Sequence, residues 1–178
     1  MKKRKCKRCG SKFLSNPFIS GDDVCNTCER MNCITFWYPR LYRLKFPMPP
    51  TIIIYTNLPL EELTDGKAIK GIDEFIREIQ LSAWAIGSPA FLRTGYLSNK
   101  HDWKNSCFLD KETLRDEKKV LNHIVNLVDQ SGIMTIDRMT PIDFWAVREF
   151  IETESYFTYF SGDMPITKER RYFVKNGK

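Results

Sequence analysis

The chain has 178 residues, 42% of them hydrophobic, with 28 Lys and Arg against 22 Asp and Glu and a net charge of +6. This composition excludes a wholly disordered or collagen-like chain, and the length excludes a large multidomain machine. It leaves one ordinary domain, or a small module followed by one domain.

The charge is concentrated at the amino terminus. Lys2, Lys3, Arg4, Lys5, Lys7, Arg8 and Lys12 put seven cations and no anion in the first twelve residues, and the remainder is close to neutral with 21 basic and 22 acidic residues. Attraction to a polyanion therefore resides in this arm. Residues 13–23 (FLSNPFISGDD) lack the apolar run of a signal peptide, and no stretch approaches the roughly 18–20 apolar residues of a membrane span. These features predict a soluble, cytoplasmic protein with no membrane partner.

Five of the six cysteines fall within residues 1–33, four of them as Cys6-Lys-Arg-Cys9 and Cys25-Asn-Thr-Cys28. Two such pairs form two knuckles whose thiolates complete a tetrahedral zinc site, closed to substrate and hence structural. Disulfides are the alternative, disfavoured without an export signal. Cys33 lies near enough to be a substitute ligand, and Cys33 and Cys107 otherwise read as small buried hydrophobes. The expectation is a zinc ribbon with a basic arm over residues 1–33, contacting either nucleic acid or a protein, or serving structure alone.

Residues 34–50 form an aromatic and Pro-rich connector. Its run Phe36-Trp-Tyr-Pro-Arg-Leu-Tyr-Arg-Leu-Lys-Phe46 interleaves rings with cations, suited either to stacking on single-stranded bases or, as the favoured reading, to pinning the module onto its neighbour.

Thr51–Tyr55 then reads as a strand and Ile69–Ile86 as an amphipathic helix stopped by Gly87-Ser88-Pro89. Next come a strand over Pro89–Thr94, a polar loop over 95–104, a strand over Asn105–Leu109, and a helix capped by Asp110 and ending near Gly132. Phe144–Ile151, Tyr156–Phe160 and Arg170–Val174 read as three further strands. The pattern predicts an α+β domain over 51–178, its mixed or antiparallel sheet flanked by helices.

Three places carry unusual chemistry. Arg93 shares a strand face with Phe91, where an unpaired charge is expensive, so it needs either a carboxylate such as Glu149 or a ligand phosphate. The loop bearing Lys100 and Lys104 is either a lid over phosphates or a solvated hairpin loop. Alternation puts Glu169, Arg171 and Phe173 on one strand face, as a site wall or an exposed ion pair.

In order, FLRT, SNKHDWK, a helix, FWAVREFIE and PITKERRYFV resemble the ATP-grasp superfamily of carboxylate–amine ligases over residues 51–178. That resemblance implies two α+β subdomains gripping ATP and an amide bond made through an acyl phosphate from carboxylate and amine substrates. It implies that Arg93, in place of a more usual lysine, and Lys100 or Lys104 contact phosphates. Arg148, Glu149, Phe150 and Ile151 would form the hinge against adenine, and Glu152 or Glu154 would accept from ribose. Arg171, beside Glu169, would face the reacting phosphates as the catalytic residue. The Mg²⁺ ligands such a domain uses lie on later strands in the family, so the resemblance also implies a carboxyl-terminally truncated fragment or a decayed member. The alternative is a non-catalytic zinc-ribbon module, binding nucleic acid or protein on an α+β scaffold.

Overall fold

A computed structural model describes residues 2–7, 10–15, 31–133, 142–159 and 164–167. At the amino terminus, β1 (Lys2–Lys5) pairs antiparallel with β2 (Lys12–Ser15), Lys5 facing Lys12. The turn between them holds Cys6, 2% exposed. The Cys6 N–H donates to the Ser11 carbonyl and the Gly10 N–H to the Cys6 carbonyl, each at 2.8 Å. Gly10 closes this turn at φ 73°, a conformation costly for any residue with a Cβ.

The connector is not an extended spacer. Ile34–Arg43 forms a helix, α1, with Pro39 inside it and Arg40 and Arg43 in its last turn. Arg40 lies over the Phe36 ring, 3.6 Å from its centroid, and its guanidinium donates to the Phe36 carbonyl.

The main domain is built on a four-stranded sheet of order β3-β6-β4-β5, in which β3 is Thr51–Tyr55, β4 Ala90–Thr94, β5 Phe108–Leu109 and β6 Phe144–Glu149. Every pairing in it is antiparallel, which decides between the mixed and antiparallel expectations. β3 and β4 are joined by the helix α2 (Ile72–Ile86), and β6 enters between them as in a split β-α-β unit. The predicted helix start at Ile69 moves to Ile72 because the chain turns at Gly71, φ 91°.

After β4 the chain runs through a 3₁₀ turn (Lys100–Asp102) into a short helix, α3 (Trp103–Ser106), then β5, a second short helix, α4 (Lys111–Leu114), and the long α5 (Glu117–Ile133). The Asp110 carboxylate accepts from the Thr113 N–H at 2.7 Å, as anticipated, but the single helix expected from there to near Gly132 is divided into α4 and α5, because the Asp116 carboxylate accepts from the Lys118 and Lys119 N–H groups and starts a second helix. The strand expected over Asn105–Leu109 is thus shorter and begins only at Phe108. Local bonds compete with it: the Ser106 hydroxyl donates to the Asn99 and Asp102 carbonyls, and Asn105 donates to the Asp102 carboxylate.

Strand alternation splits the sheet into two faces. Ile54, Ala90, Leu92, Leu109, Trp145 and Val147 point one way and pack against Phe75, Ile76, Ile79 and Ala83 of α2 and Val120, Ile124, Leu127 and Val128 of α5. Phe75 meets Trp145 edge to face at 5.5 Å. Each such fully buried side chain contributes about 1.5–3 kcal/mol, so this face carries the domain's stability. Phe91, Arg93, Phe108, Ala146 and Arg148 occupy the other face, with Phe91 paired to Arg148 and Arg93 to Ala146.

A two-stranded ribbon follows: β7 (Ser155–Tyr159) and β8 (Met164–Thr167), antiparallel. β8 was not anticipated, because Pro165 weakens its strand signal. The strand expected over Arg170–Val174 lies outside the described residues. Among the described residues no helix is long and apolar enough to cross a membrane.

Candidate functional site

The face opposite the core opens into a cleft of about 320 Å³. Its floor is the β4–β6 pair, which contributes Phe91, Arg93, Arg148 and Glu149, and its walls come from the loop after β4, with Lys100 and Trp103, from the segment after β6, with Phe150 and Ile151, and from Pro165 and Thr167 of β8. The cleft therefore gathers six residues marked from the sequence: Arg93, Lys100, Arg148, Glu149, Phe150 and Ile151. Lys104, Glu152 and Glu154 are exposed and outside its lining. Glu169 and Arg171 lie outside the described residues.

Electrostatics distinguish this cleft. Arg93 and Arg148 are both half-buried, and burial lowers the pKa of each, an effect that Arg148 deepens at Arg93. The Arg93 Nε donates to the Thr94 carbonyl at 3.0 Å, while the Arg148 Nε is buried without a hydrogen-bond partner. Among the described residues no carboxylate forms an ion pair with either guanidinium. Glu149 lines the cleft without bridging them, so the structural-bridge alternative for Arg93 is not realised there. Two adjacent, partly desolvated cations with no carboxylate partner among the described residues favour an anionic ligand.

The loop after β4 is built rather than loose. Thr94 Oγ1 donates to the Leu97 carbonyl and accepts from the Leu97 N–H, each at 3.1 Å, and the Lys100 N–H donates to the Ser98 carbonyl. Asn126 on α5 donates to the Asn105 carbonyl at 2.8 Å, tying the loop's far end to the core helix. These bonds hold Lys100 at the cleft mouth.

Three rings close the apolar end. Trp103 stacks on Phe150 with centroids 5.8 Å apart and 12° between planes, and meets Phe108 at 4.6 Å; Phe108 and Phe150 are 5.0 Å apart. Sequence reasoning marked Phe150 for its backbone and passed over Trp103, Phe91, Thr153 and the β8 residues Pro165 and Thr167. The signal at Trp103 was an aromatic between two lysine-bearing turns, whereas nothing in the sequence pointed to β8.

The connector helix reaches the same face. The Ile34 N–H donates to the Gly95 carbonyl at 2.8 Å, the Gly95 N–H to the Phe144 carbonyl at 2.6 Å, and the Tyr38 phenol lies near enough to Arg148 to act on its charge. Cys33 is buried at this junction and Cys107 beneath β4, where burial pushes its thiol up to about 11.

Of the expected zinc ligands, Cys6 sits buried in its turn, and Cys9, Cys25 and Cys28 lie outside the described residues. Among the described residues there is no group of three or more His, Cys, Asp and Glu able to hold a metal ion. No family model matches the chain, and no curated protein or solved structure is significantly similar to it.

Proposed function

We propose that the cleft binds ATP and that the parent activity of this domain is ATP-dependent carboxylate–amine ligation of the ATP-grasp type. The observation that carries the reading is the Arg93–Arg148 pair: two desolvated guanidiniums on the floor of one cleft, without a carboxylate partner among the described residues. A polyphosphate supplies the missing anion, with Lys100 adding a third cation at the mouth. The apolar end, made by Trp103, Phe150 and Ile151, suits a planar base, and the exposed backbone after Glu149 offers hydrogen-bonding edges.

In such a reaction the substrate carboxylate attacks the γ-phosphorus and ADP leaves; the amine then attacks the acyl carbon of the acyl phosphate, forming the amide as inorganic phosphate is expelled and the amine loses a proton. Residues of this chain contribute by holding the phosphates in line and offsetting the charge that spreads over them in the transition state. In this reading Arg93 and Arg148 take that task, and the resemblance implies it for Arg171 as well. Mg²⁺ would neutralise phosphate charge when bound. Glu149 is the sole carboxylate in the cleft's lining among the described residues, and one carboxylate does not fit the ion.

The amino-terminal module is assigned a structural zinc held by Cys6, Cys9, Cys25 and Cys28. The buried Cys6 at a Gly-closed turn is the geometry a thiolate knuckle requires. Elemental analysis of protein purified without chelator should return one zinc per chain, and Cys6→Ser should lower that content.

The nucleotide reading is tested by calorimetric titration of ATP into the chain and into Arg93→Ala and Arg148→Ala. Saturable binding to the parent, weakened at least tenfold by each substitution, is expected. Absence of binding, or binding indifferent to both changes, removes the assignment.

A further inference from the structure

Charge asymmetry and exposed aromatic surface coincide on the connector. Residues 1–60 carry 11 Lys and Arg against three Asp and Glu, whereas residues 61–178 carry 17 against 19, and residues 31–60 contain no acid at all. The net positive charge thus belongs to the amino-terminal third of the sequence, while residues 61–178 are close to neutral.

Only the first half of the connector fastens α1 to the sheet. Cys33 and Ile34 are buried at Gly95, while Tyr42, Leu44 and Phe46 remain 69%, 77% and 59% exposed. This corrects the favoured expectation that the aromatics serve mainly to pin the module: those beyond Pro39 do not. Leaving rings in water serves no packing purpose, and these are held in place. Tyr42 stacks on Tyr38 with centroids 6.2 Å apart and 24° between planes. The chain then turns at Lys45, φ 55°, and the Phe46 N–H donates back to the Leu41 carbonyl at 3.1 Å.

Beside these rings runs a groove of about 610 Å³ whose walls include Tyr38, Pro39, Tyr42, Met48, Pro50 and Ile53. It is of the size ligand sites have and is mostly apolar. Arg43 and Lys45 lie between Tyr42 and Phe46 in sequence and are exposed, whereas Arg40 is engaged with Phe36.

We infer that this face binds single-stranded nucleic acid, with bases stacked on Tyr42 and Phe46 beside the groove and phosphates paired with Arg43 and Lys45. Charge complementarity selects a polyanion, and the exposed ring faces select among polyanions. Unpaired bases present π-faces to rings, a duplex keeps its bases stacked inside, and an acidic peptide satisfies the cations but leaves the aromatics in water. The lysines of the amino-terminal arm add long-range attraction. The groove and the nucleotide cleft have no lining residue in common, and the proposal does not depend on the cleft's assignment.

The experiment is fluorescence anisotropy with a labelled twelve-nucleotide oligothymidylate. Affinity should fall with salt, with a logarithmic slope of about −0.7 per phosphate neutralised. Tyr42→Ala and Tyr42→Leu should each weaken binding about 5- to 150-fold, the loss of one stacked base, while Tyr42→Phe retains it. Arg43→Ala combined with Lys45→Ala should reduce the salt slope by about 1.4. Arg93→Ala, in the nucleotide cleft, should leave the affinity for the oligonucleotide unaltered while it weakens ATP binding. Leu keeps apolar bulk without a ring, so it separates stacking from any loss of fold, and thermal midpoints of the variants check the latter. Failure to bind the oligonucleotide, equal affinity for a duplex of the same length, equal affinity for polyglutamate, or unaltered binding by Tyr42→Leu would each overturn the proposal.

Discussion

A Cβ placed on Gly95 would stand 2.7 Å from the Sγ of Cys33 and 2.9 Å from the Cβ of Phe144. The close approach of α1 to the strand that bears Arg93 is therefore possible only because residue 95 has no side chain. Gly95→Ala should overpack this junction and cost about 1–3 kcal/mol, a fall in Tm of about 2–4 °C per kcal/mol for a domain of this size. Cys33→Ala should recover part of the loss, since it relieves one of the two contacts. A double-mutant cycle by thermal denaturation showing strict additivity would mean that the two residues are not in contact.

His123 on α5 is 5% exposed, and its Nδ1 is buried without a partner. Burial lowers its pKa from the usual 6.5, partly opposed by the Ser106 backbone and the charges of Asp110 and Asp102. The neutral ring is thus the folded form. Because the folded pKa lies below the unfolded one, the unfolded chain takes up the proton first. Stability is full above about pH 6.5 and declines as pH falls towards the folded value. Between pH 7 and 5.5 the Tm should drop in the parent and drop less in His123→Leu. Parallel pH profiles for the two proteins would exclude His123 as the cause.

The Cys107 thiol is raised to about 11 chiefly by burial, against opposing effects of Ser106, Asn99, Arg93 and Lys100. At pH 8 the thiolate fraction is then about 0.1%, so alkylation should be slow in the folded protein and rapid in urea. Peptide mapping after brief iodoacetamide treatment reads this directly. Equal labelling of Cys107 in the folded and denatured chain would contradict its burial.

What was legible in the sequence was periodic or chemically incongruous. The β-branched run Ile52-Ile53-Ile54 announced a strand, and the spacing of Phe75, Ile76, Ile79 and Ala83 announced the helix that covers the core face. Arg93 stood out because a guanidinium beside Phe91 has no place in a packed sheet, and the cleft is where the chain resolves that conflict. Local competition hid other elements. Pro39 and the density of rings disguised α1, and side-chain bonds of Asn105 and Ser106 turned an expected strand into a helical turn. Pro165 masked β8, so the wall that closes the cleft was illegible although its floor was not. The closeness of Arg148 to Arg93 depends on strand register, which a single sequence does not specify until the sheet order is known.

That register leads to the last prediction, on removing charge from the cleft floor. Desolvation and mutual repulsion make the Arg93–Arg148 pair unfavourable in the free protein, and the Arg148 Nε has no hydrogen-bond partner among the described residues. The substitution Arg93→Met keeps a long side chain beside Phe91 while deleting one of the two charges, so it should stabilise the ligand-free domain by roughly 0.5–2 kcal/mol. The same substitution should abolish the stabilisation that added polyphosphate gives the parent, since an anion that binds only the folded state raises Tm with concentration. Melting curves of both proteins with and without sodium tripolyphosphate test the two effects together. An Arg93→Met variant that is less stable and still responds to tripolyphosphate would show that Arg93 is a packing residue. One that is more stable and unresponsive would show that the pair is retained for an anion at the expense of stability.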